Sequence, residues 1–233
     1  SGPFDGDRSM TEADATWLGE ADAAEAGDSV ANGCDLSGDG LVDLIVGSRG
    51  VDAAGFASGA VYVIFSEDGG EHSLADASVS ILATAESQRL GDAVGCAGDV
   101  NDDGVADLVI TAPGAINSAG QVSGVAYIFN GPLEEGETDI SQADAALNGV
   151  ADADYMGRPL DSRHDPHGDG VADTVITAFT AGVAAVHAGA GYTLHAPSEG
   201  AADPSDPHRT LRGVPPRASA GPPAAVARSR AGV

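Results

Sequence analysis

Three times along the chain, a cluster of acidic and small polar residues runs straight into a stretch of aliphatic and β-branched ones. The copies are DLSGDGLVDLIVG from Asp35, DVNDDGVADLVIT from Asp99 and DPHGDGVADTVIT from Asp165. They begin 64 and 66 residues apart, and a fixed period of this length marks stacked supersecondary units. Leu44-Ile45-Val46 and Leu108-Val109-Ile110 are continuous apolar runs, as expected of strands buried on both faces. Further on, Val61, Val63 and Phe65 alternate with Tyr62 and Ile64 in the period of a strand. The segments GVAYIFNG and GAGYTLHA hold the same place in the second and third units. A shorter apolar segment precedes each unit, at Thr16-Trp17-Leu18, Val79–Leu82 and Ala145-Ala146-Leu147. Gly, Asn, Asp and Pro punctuate the gaps. No long stretch carries an apolar stripe of period 3.6, which excludes a helix-rich fold.

About four strands per unit is the content of one propeller blade. The expected fold is therefore all-β, with about three blades of four antiparallel strands spanning 15–78, 79–143 and 144–196, after an N-terminal lead at 1–14. The segment around Trp17 corresponds to the last strand of a blade. The chain is thus expected to open with an orphan outer strand and to end after the third strand of unit three. Propellers close with about four to eight blades, so the pattern reads as an incomplete propeller. Residues 197–233 hold seven of the 12 prolines, eight alanines and no aromatic residue or Ile. Such a segment buries too little apolar surface to offset its ordering entropy, and it reads as an irregular or disordered tail.

The acidic turns carry the candidate chemistry. Asp35, Ser37, Asp39 and Asp43 occupy positions 1, 3, 5 and 9 of a D-x-[SDN]-x-D-G-x-x-D loop. Gly40 supplies the bend at position 6, and the Leu41 carbonyl at position 7 is a further oxygen. Unit two repeats the set as Asp99, Asn101, Asp103, the Val105 carbonyl and Asp107. Several carboxylates with neutral oxygens select Ca²⁺ over transition metals. An EF-hand is excluded, because its position 12 requires a bidentate Glu; here Val46, Ile110 and Ile176 stand there, inside the apolar runs. Acidic turns also serve as plain hairpin turns, but two complete copies, each followed by a strand, favour the metal. Unit three keeps Asp165, Asp169, the Val171 carbonyl and Asp173, with His167 at position 3 and Pro166 stiffening the loop. That site is expected to be weak or empty; His164 and His167 admit zinc there as an alternative.

Charge narrows the function classes. The net charge is -26, with no Lys at all and ten Arg as the only fixed cations. A field of this sign repels nucleic acid and anionic membranes and attracts cations. It is uneven, since residues 1–200 hold 34 acidic residues against five Arg, whereas 201–233 hold five Arg against Asp203 and Asp206. No apolar stretch approaches the roughly 18 residues of a membrane helix. There is no G-x-S-x-G elbow, phosphate-binding loop or H-E-x-x-H, so no catalytic residues are assigned and the chain is read as a non-enzyme. Cys34 and Cys96 are the only cysteines. In an extracellular setting they could form one bridge; two separate buried thiols are the alternative.

These residues make the chain resemble the FG-GAP repeat family, the β-propeller repeats of integrin α subunits and their bacterial relatives. Unit two carries the resemblance best, through Leu90-Gly91, Val94, Gly98-Asp99, Asn101, Asp103-Gly104, Asp107-Leu108, Ala112-Pro113 and Tyr127-Ile128-Phe129. Unit one has Ser48-Arg49 where the family has Ala-Pro, and unit three replaces Asp-Leu by Asp173-Thr174. The resemblance implies a propeller in which Ca²⁺ sits in the hairpin between the first two strands of each blade and stiffens it. It implies an adhesion or protein-binding module, extracellular or in the cell envelope of a bacterium, with a protein or other extracellular ligand as partner. Seven blades are usual in that family, so a homo-oligomer that pools blades or covers the open edges is expected. The alternatives are the propeller domain of an extracellular hydrolase or lyase, and a non-functional remnant of a longer propeller.

Overall fold

The structure of the chain is a computed structural model. It describes residues 7, 9–65, 69–101, 103–117, 119–157, 160–164, 173–178, 180–181, 189–194 and 210–212, with backbone only at 161–164, 173, 194 and 210–212. Fifteen strands are described and no α-helix: β1 (Ala15–Leu18), β2 (Ala26–Cys34), β3 (Asp43–Ser48), β4 (Ala60–Ile64), β5 (Gly70–Ser73), β6 (Val79–Leu82), β7 (Val94–Gly98), β8 (Asp107–Ala112), β9 (Val125–Phe129), β10 (Gly136–Asp139), β11 (Ala145–Asn148), β12 (Leu160–His164), β13 (Asp173–Ala178), β14 (Ala190–Leu194) and β15 (Thr210–Arg212).

The strands form three antiparallel blades, in the orders β2-β3-β4-β6, β7-β8-β9-β11 and β12-β13-β14-β15. The fold is all-β, as the pattern predicts. The continuous apolar runs follow from its layering. Along β8, Leu108, Ile110 and Ala112 enter a core shared with Ile45, Val61 and Val63 of blade one, while Val109 turns into a second core with Ile176 and Tyr192 of blade three. In β4 the other parity, Ala60, Tyr62 and Ile64, packs on the outer face with Trp17. A sheet lying between two neighbours buries both faces, so period-two polarity disappears from its central strands.

The third blade departs from expectation. β15 lies inside 197–233, read from the sequence as an irregular tail, and pairs with β14 as a fourth strand, so unit three does not stop at its third strand. Its register follows the repeat: Thr210 stands opposite Tyr192, as Ser80 does opposite Tyr62 and Ala146 opposite Tyr127. β1 is an outer strand without the rest of its blade among the described residues. It pairs in parallel with β5, and Trp17 stacks on His72 with ring centroids 4.7 Å apart. β10 lies parallel to β6 in the same manner. After its third strand, each of units one and two therefore sends a short polar strand along the outer edge of the preceding blade, covering an edge that would otherwise be open to another chain. A 3₁₀ turn follows each of these strands, at Leu74–Asp76 and Ile140–Gln142, capped by Ser73 and Asp139. Met10–Glu12, capped by Ser9, is the same turn one period earlier, so the repeat reaches into the expected lead.

Blade contact depends on backbone approach at Gly91. Its φ of +84° favours glycine, and a Cβ there would meet the Ala60 carbonyl oxygen at 2.5 Å. Ser29 Oγ donates to its carbonyl at 2.7 Å, and its own N–H donates to Thr111 O at 3.0 Å. Arg49 closes the same seam, contacting Glu25, Asp28 and the buried Asp92 at 2.7, 3.1 and 3.2 Å.

Of the two readings for the cysteines, the structure shows the bridge: Cys34 on β2 is joined to Cys96 on β7, linking the first strands of blades one and two across 62 residues. Closing a loop of that length removes unfolded-state entropy equivalent to about 4 kcal/mol. Replacing both cysteines by alanine is expected to lower the denaturant-extrapolated unfolding free energy by about that amount. A loss well under 1 kcal/mol would contradict the loop-closure origin of that stability.

Candidate metal centre

The two described acidic loops sit at the turns between β2 and β3 and between β7 and β8. Each is entered through a register shift, between Asn32 and Cys34 in one and between Cys96 and Gly98 in the other. An extra residue of this kind bends the strand and re-aims the chain; Gly33 and Gly98 have φ of +103° and +77° there. The closing acid comes first in the next strand: Asp43 begins β3, Asp107 begins β8 and the backbone of Asp173 begins β13. Position 9 therefore lies at the strand start, as the spacing predicts. Asp165, Asp169 and Val171 lie outside the described residues, as does the side chain of Asp173.

In loop one, Asp35 Oδ1 accepts from the N–H groups of Gly38 and Asp39 at 2.6 and 3.1 Å and from Ser37 Oγ at 3.2 Å. Its Oδ2 accepts from the Gly40 N–H at 2.8 Å. Burial by itself would raise this carboxyl, but the bonds from Gly40, Gly38, Ser37 and Asp39 outweigh it and hold the group below the ordinary range. Asp39 is exposed and accepts from the Leu41 N–H at 2.7 Å. Asp43 is 1% exposed. Its Oδ2 accepts from the N–H groups of Leu36 and Ser37 at 2.6 and 3.1 Å, and its Oδ1 is buried without a hydrogen-bond partner.

Loop two has the same plan. Asp99 accepts from the N–H groups of Asp103 and Gly104 at 3.0 and 2.8 Å. Asn101 Nδ2 donates to Asp103 Oδ2 at 2.8 Å, and the Val105 N–H donates to Asp103 Oδ1 at 2.8 Å. Asp107 is fully buried; its Oδ2 accepts from the Val100 N–H at 2.7 Å and its Oδ1 from the Gly131 N–H at 2.9 Å. Burial raises Asp43 and Asp107 above the ordinary carboxylate value. Amide bonds oppose the rise, and the neighbouring charges of Asp35 and Asp39, or of Asp103 and Asp99, add to it.

Among the described residues, no three His, Cys, Asp or Glu groups stand together as a metal-binding cluster; the carboxylates are turned onto backbone amides instead. The donors nevertheless fit a hard cation on two observations. The buried Asp43 Oδ1 has no partner, a costly state for a carboxylate oxygen. The acids of each loop lie near enough to raise the closing carboxyl, a repulsion that a cation relieves. Ser37, Asn101 and the Leu41 and Val105 carbonyls would complete an all-oxygen set.

Two contributors carry no sequence signal, because both act through the backbone. The Gly131 N–H holds Asp107, and the Leu133 N–H donates to the Leu36 carbonyl at 2.7 Å. Both lie in the turn after β9, between the two loops.

Residues 93–128 match the FG-GAP repeat model. The chain is 33% identical over 148 residues to integrin alpha-4 of Xenopus laevis, covering 62% of this chain and 14% of that protein. It is 30% identical over 183 residues to integrin alpha-5 of the same species, covering 74% and 16%. A phosphatidylinositol-glycan-specific phospholipase D of Dictyostelium discoideum is 30% identical over 159 residues, covering 61% and 17%. The chain thus spans less than a fifth of each of these relatives.

Asp107→Ala in chelator is expected to strip two buried amides of their acceptor and to cost about 3 kcal/mol, with Asp107→Asn costing less. Because burial raises the folded carboxyl, the folded state binds more protons between the ordinary value and the raised one. The stability contributed by Asp107 is then greatest below the ordinary value, 3.8, and falls as pH rises through the folded value. Wild type should therefore lose ground to Asp107→Asn on going from acid to neutral pH, followed by denaturant titration at each pH. A constant difference would contradict the assignment.

Proposed function

We propose that this chain, which carries an FG-GAP repeat of the integrin α type, is a calcium-stiffened propeller module with a binding or adhesion role outside the cell. The carrying observation is the buried, unpartnered Oδ1 of Asp43 at the mouth of a loop that already holds Asp35 and Asp39. Asp35, Ser37, Asp39, Asp43 and the Leu41 carbonyl would hold one ion. Asp99, Asn101, Asp103, Asp107 and the Val105 carbonyl would hold a second, and Asp165, Asp169, Asp173 and the Val171 carbonyl a weaker third.

Bound calcium supplies positive charge and oxygen coordination, and no covalent chemistry. The chain's own residues do the rest. Asp35 fixes the loop by collecting four hydrogen bonds, three of them from consecutive backbone amides. Asp43 and Asp107 tie each loop to the first residue of a central strand. A loop locked in this way holds the β2–β3 or β7–β8 hairpin in register, and with it the sheet face that packs on the next blade. The bridge between Cys34 and Cys96 supports an oxidising, extracellular setting. None of the described residues forms a helix long and apolar enough to cross a membrane. A protein partner is supported by the integrin α relatives.

Thermal unfolding tests the reading. Calcium at a thousandfold excess over the dissociation constant of one site should add about 4 kcal/mol of stability per occupied site, and Asp39→Ala or Asp103→Ala should each remove one site's share. Coincident melting curves in calcium and in chelator would overturn it.

A further inference from the structure

The two loops are 64 residues apart in sequence, yet three connections join them. The first is a relay of hydrogen bonds through the turn after β9. Asp107 Oδ1, on the closing acid of loop two, accepts from the Gly131 N–H at 2.9 Å. Two residues on, the Leu133 N–H donates to the Leu36 carbonyl of loop one at 2.7 Å. The Leu36 N–H in turn donates to Oδ2 of Asp43, the closing acid of loop one, at 2.6 Å. The relay thus begins on one position-9 carboxylate and ends on the other. It runs through shielded surroundings, with Asp107 and Leu36 fully buried, Gly131 buried and Leu133 packed against the core between blades one and two.

The second connection is covalent. Cys34 immediately precedes Asp35, and Cys96 stands three residues before Asp99, so their bridge ties the root of one loop to the root of the other. The third is packing: Gly38 of loop one faces Pro132, and Gly131 lies against Val105 and Ala106 of loop two.

We infer that the Cys34–Cys96 bridge and the Gly131–Leu133 turn make the two acidic loops one cation-binding unit, in which occupancy of either loop tightens the other. This rests on the calcium reading above. The physical reason is shared ordering. A loop that closes on a cation fixes its position-9 carboxylate, and fixing Asp107 or Asp43 fixes the same turn. The second loop to close then orders fewer degrees of freedom and binds more tightly, without a change of shape. Gly131 and Leu133 act here as positioning residues through their N–H groups, whereas the side-chain ligands come from the loops. Thermodynamic reciprocity requires the strengthening to be the same in both directions.

The test is calorimetric titration of the chelator-stripped full chain with CaCl₂, comparing wild type with Asp39→Ala and Asp103→Ala. Each variant leaves one loop of the pair. That loop should bind calcium at least about fivefold more weakly than in wild type, by the same factor in both variants. A surviving loop that keeps its wild-type affinity would overturn the coupling while leaving the calcium reading intact. Wild type that takes up no calcium would overturn the calcium reading itself. Leu133→Pro, which removes the N–H to Leu36, read against Leu133→Ala as the control for the lost side chain, and the double variant Cys34→Ala with Cys96→Ala then test the path. Both should still bind an ion in each loop, with the mutual strengthening reduced. Full coupling in both would overturn the assignment to these connections.

Discussion

Each central sheet of this protein has two apolar faces, and no sheet can hide both by itself. That constraint governs the rest of the structure. Val109 and Ile110 are adjacent in β8 yet point into different cores, one shared with blade three and the other with blade one. Blades must therefore stack, and stacking requires backbones to approach closely at the seams. Gly91 shows this most directly, with a side-chain position already filled by the carbonyl of Ala60. Gly27, its counterpart one unit earlier, has nothing within 4 Å, and no blade is described on that side. The same motif position is thus packed on blade one at Gly91, packed on Thr111 of blade two at Gly157, and open at Gly27.

Stacking also decides where the acids go. A strand buried on both faces cannot carry charge along its length, so the charge collects at the turns. There Asp43 and Asp107 occupy the boundary, first in the strand and buried, but bonded to loop amides. They join the stability of the sheet to the state of the loop. The Gly131–Leu133 turn and the bridge between Cys34 and Cys96 extend that link across the blade boundary.

The parts legible in the sequence were those written in side chains. Leu44-Ile45-Val46 and Leu108-Val109-Ile110 announced strands buried on both faces, and the spacing of Asp35, Asp39 and Asp43 placed the last acid at the strand start. The polar strands β5 and β10 were not legible, because GEHS and GETD carry no apolar periodicity and are held by parallel pairing with a neighbouring blade's edge. β15 was hidden because only Thr-Leu-Arg marks it in a Pro- and Ala-rich stretch, although it follows β14 at about the spacing by which β6 follows β4 and β11 follows β9. The pairing of Cys34 with Cys96 depends on how two blades face each other, which spacing alone does not encode. Gly131 and Leu133 contribute through N–H groups that every residue but proline possesses.

On the calcium reading proposed above, the acidic turns are oxygen cages rather than hairpin turns capped by carboxylates. A crystal structure grown in calcium tests it most directly. An ion is expected in each of the first two loops, with Asp43 or Asp107 and the other loop oxygens about 2.4 Å away. Loops filled by water, with Asp35 and Asp99 still turned onto the backbone amides and Asp43 Oδ1 still unpaired, would contradict it.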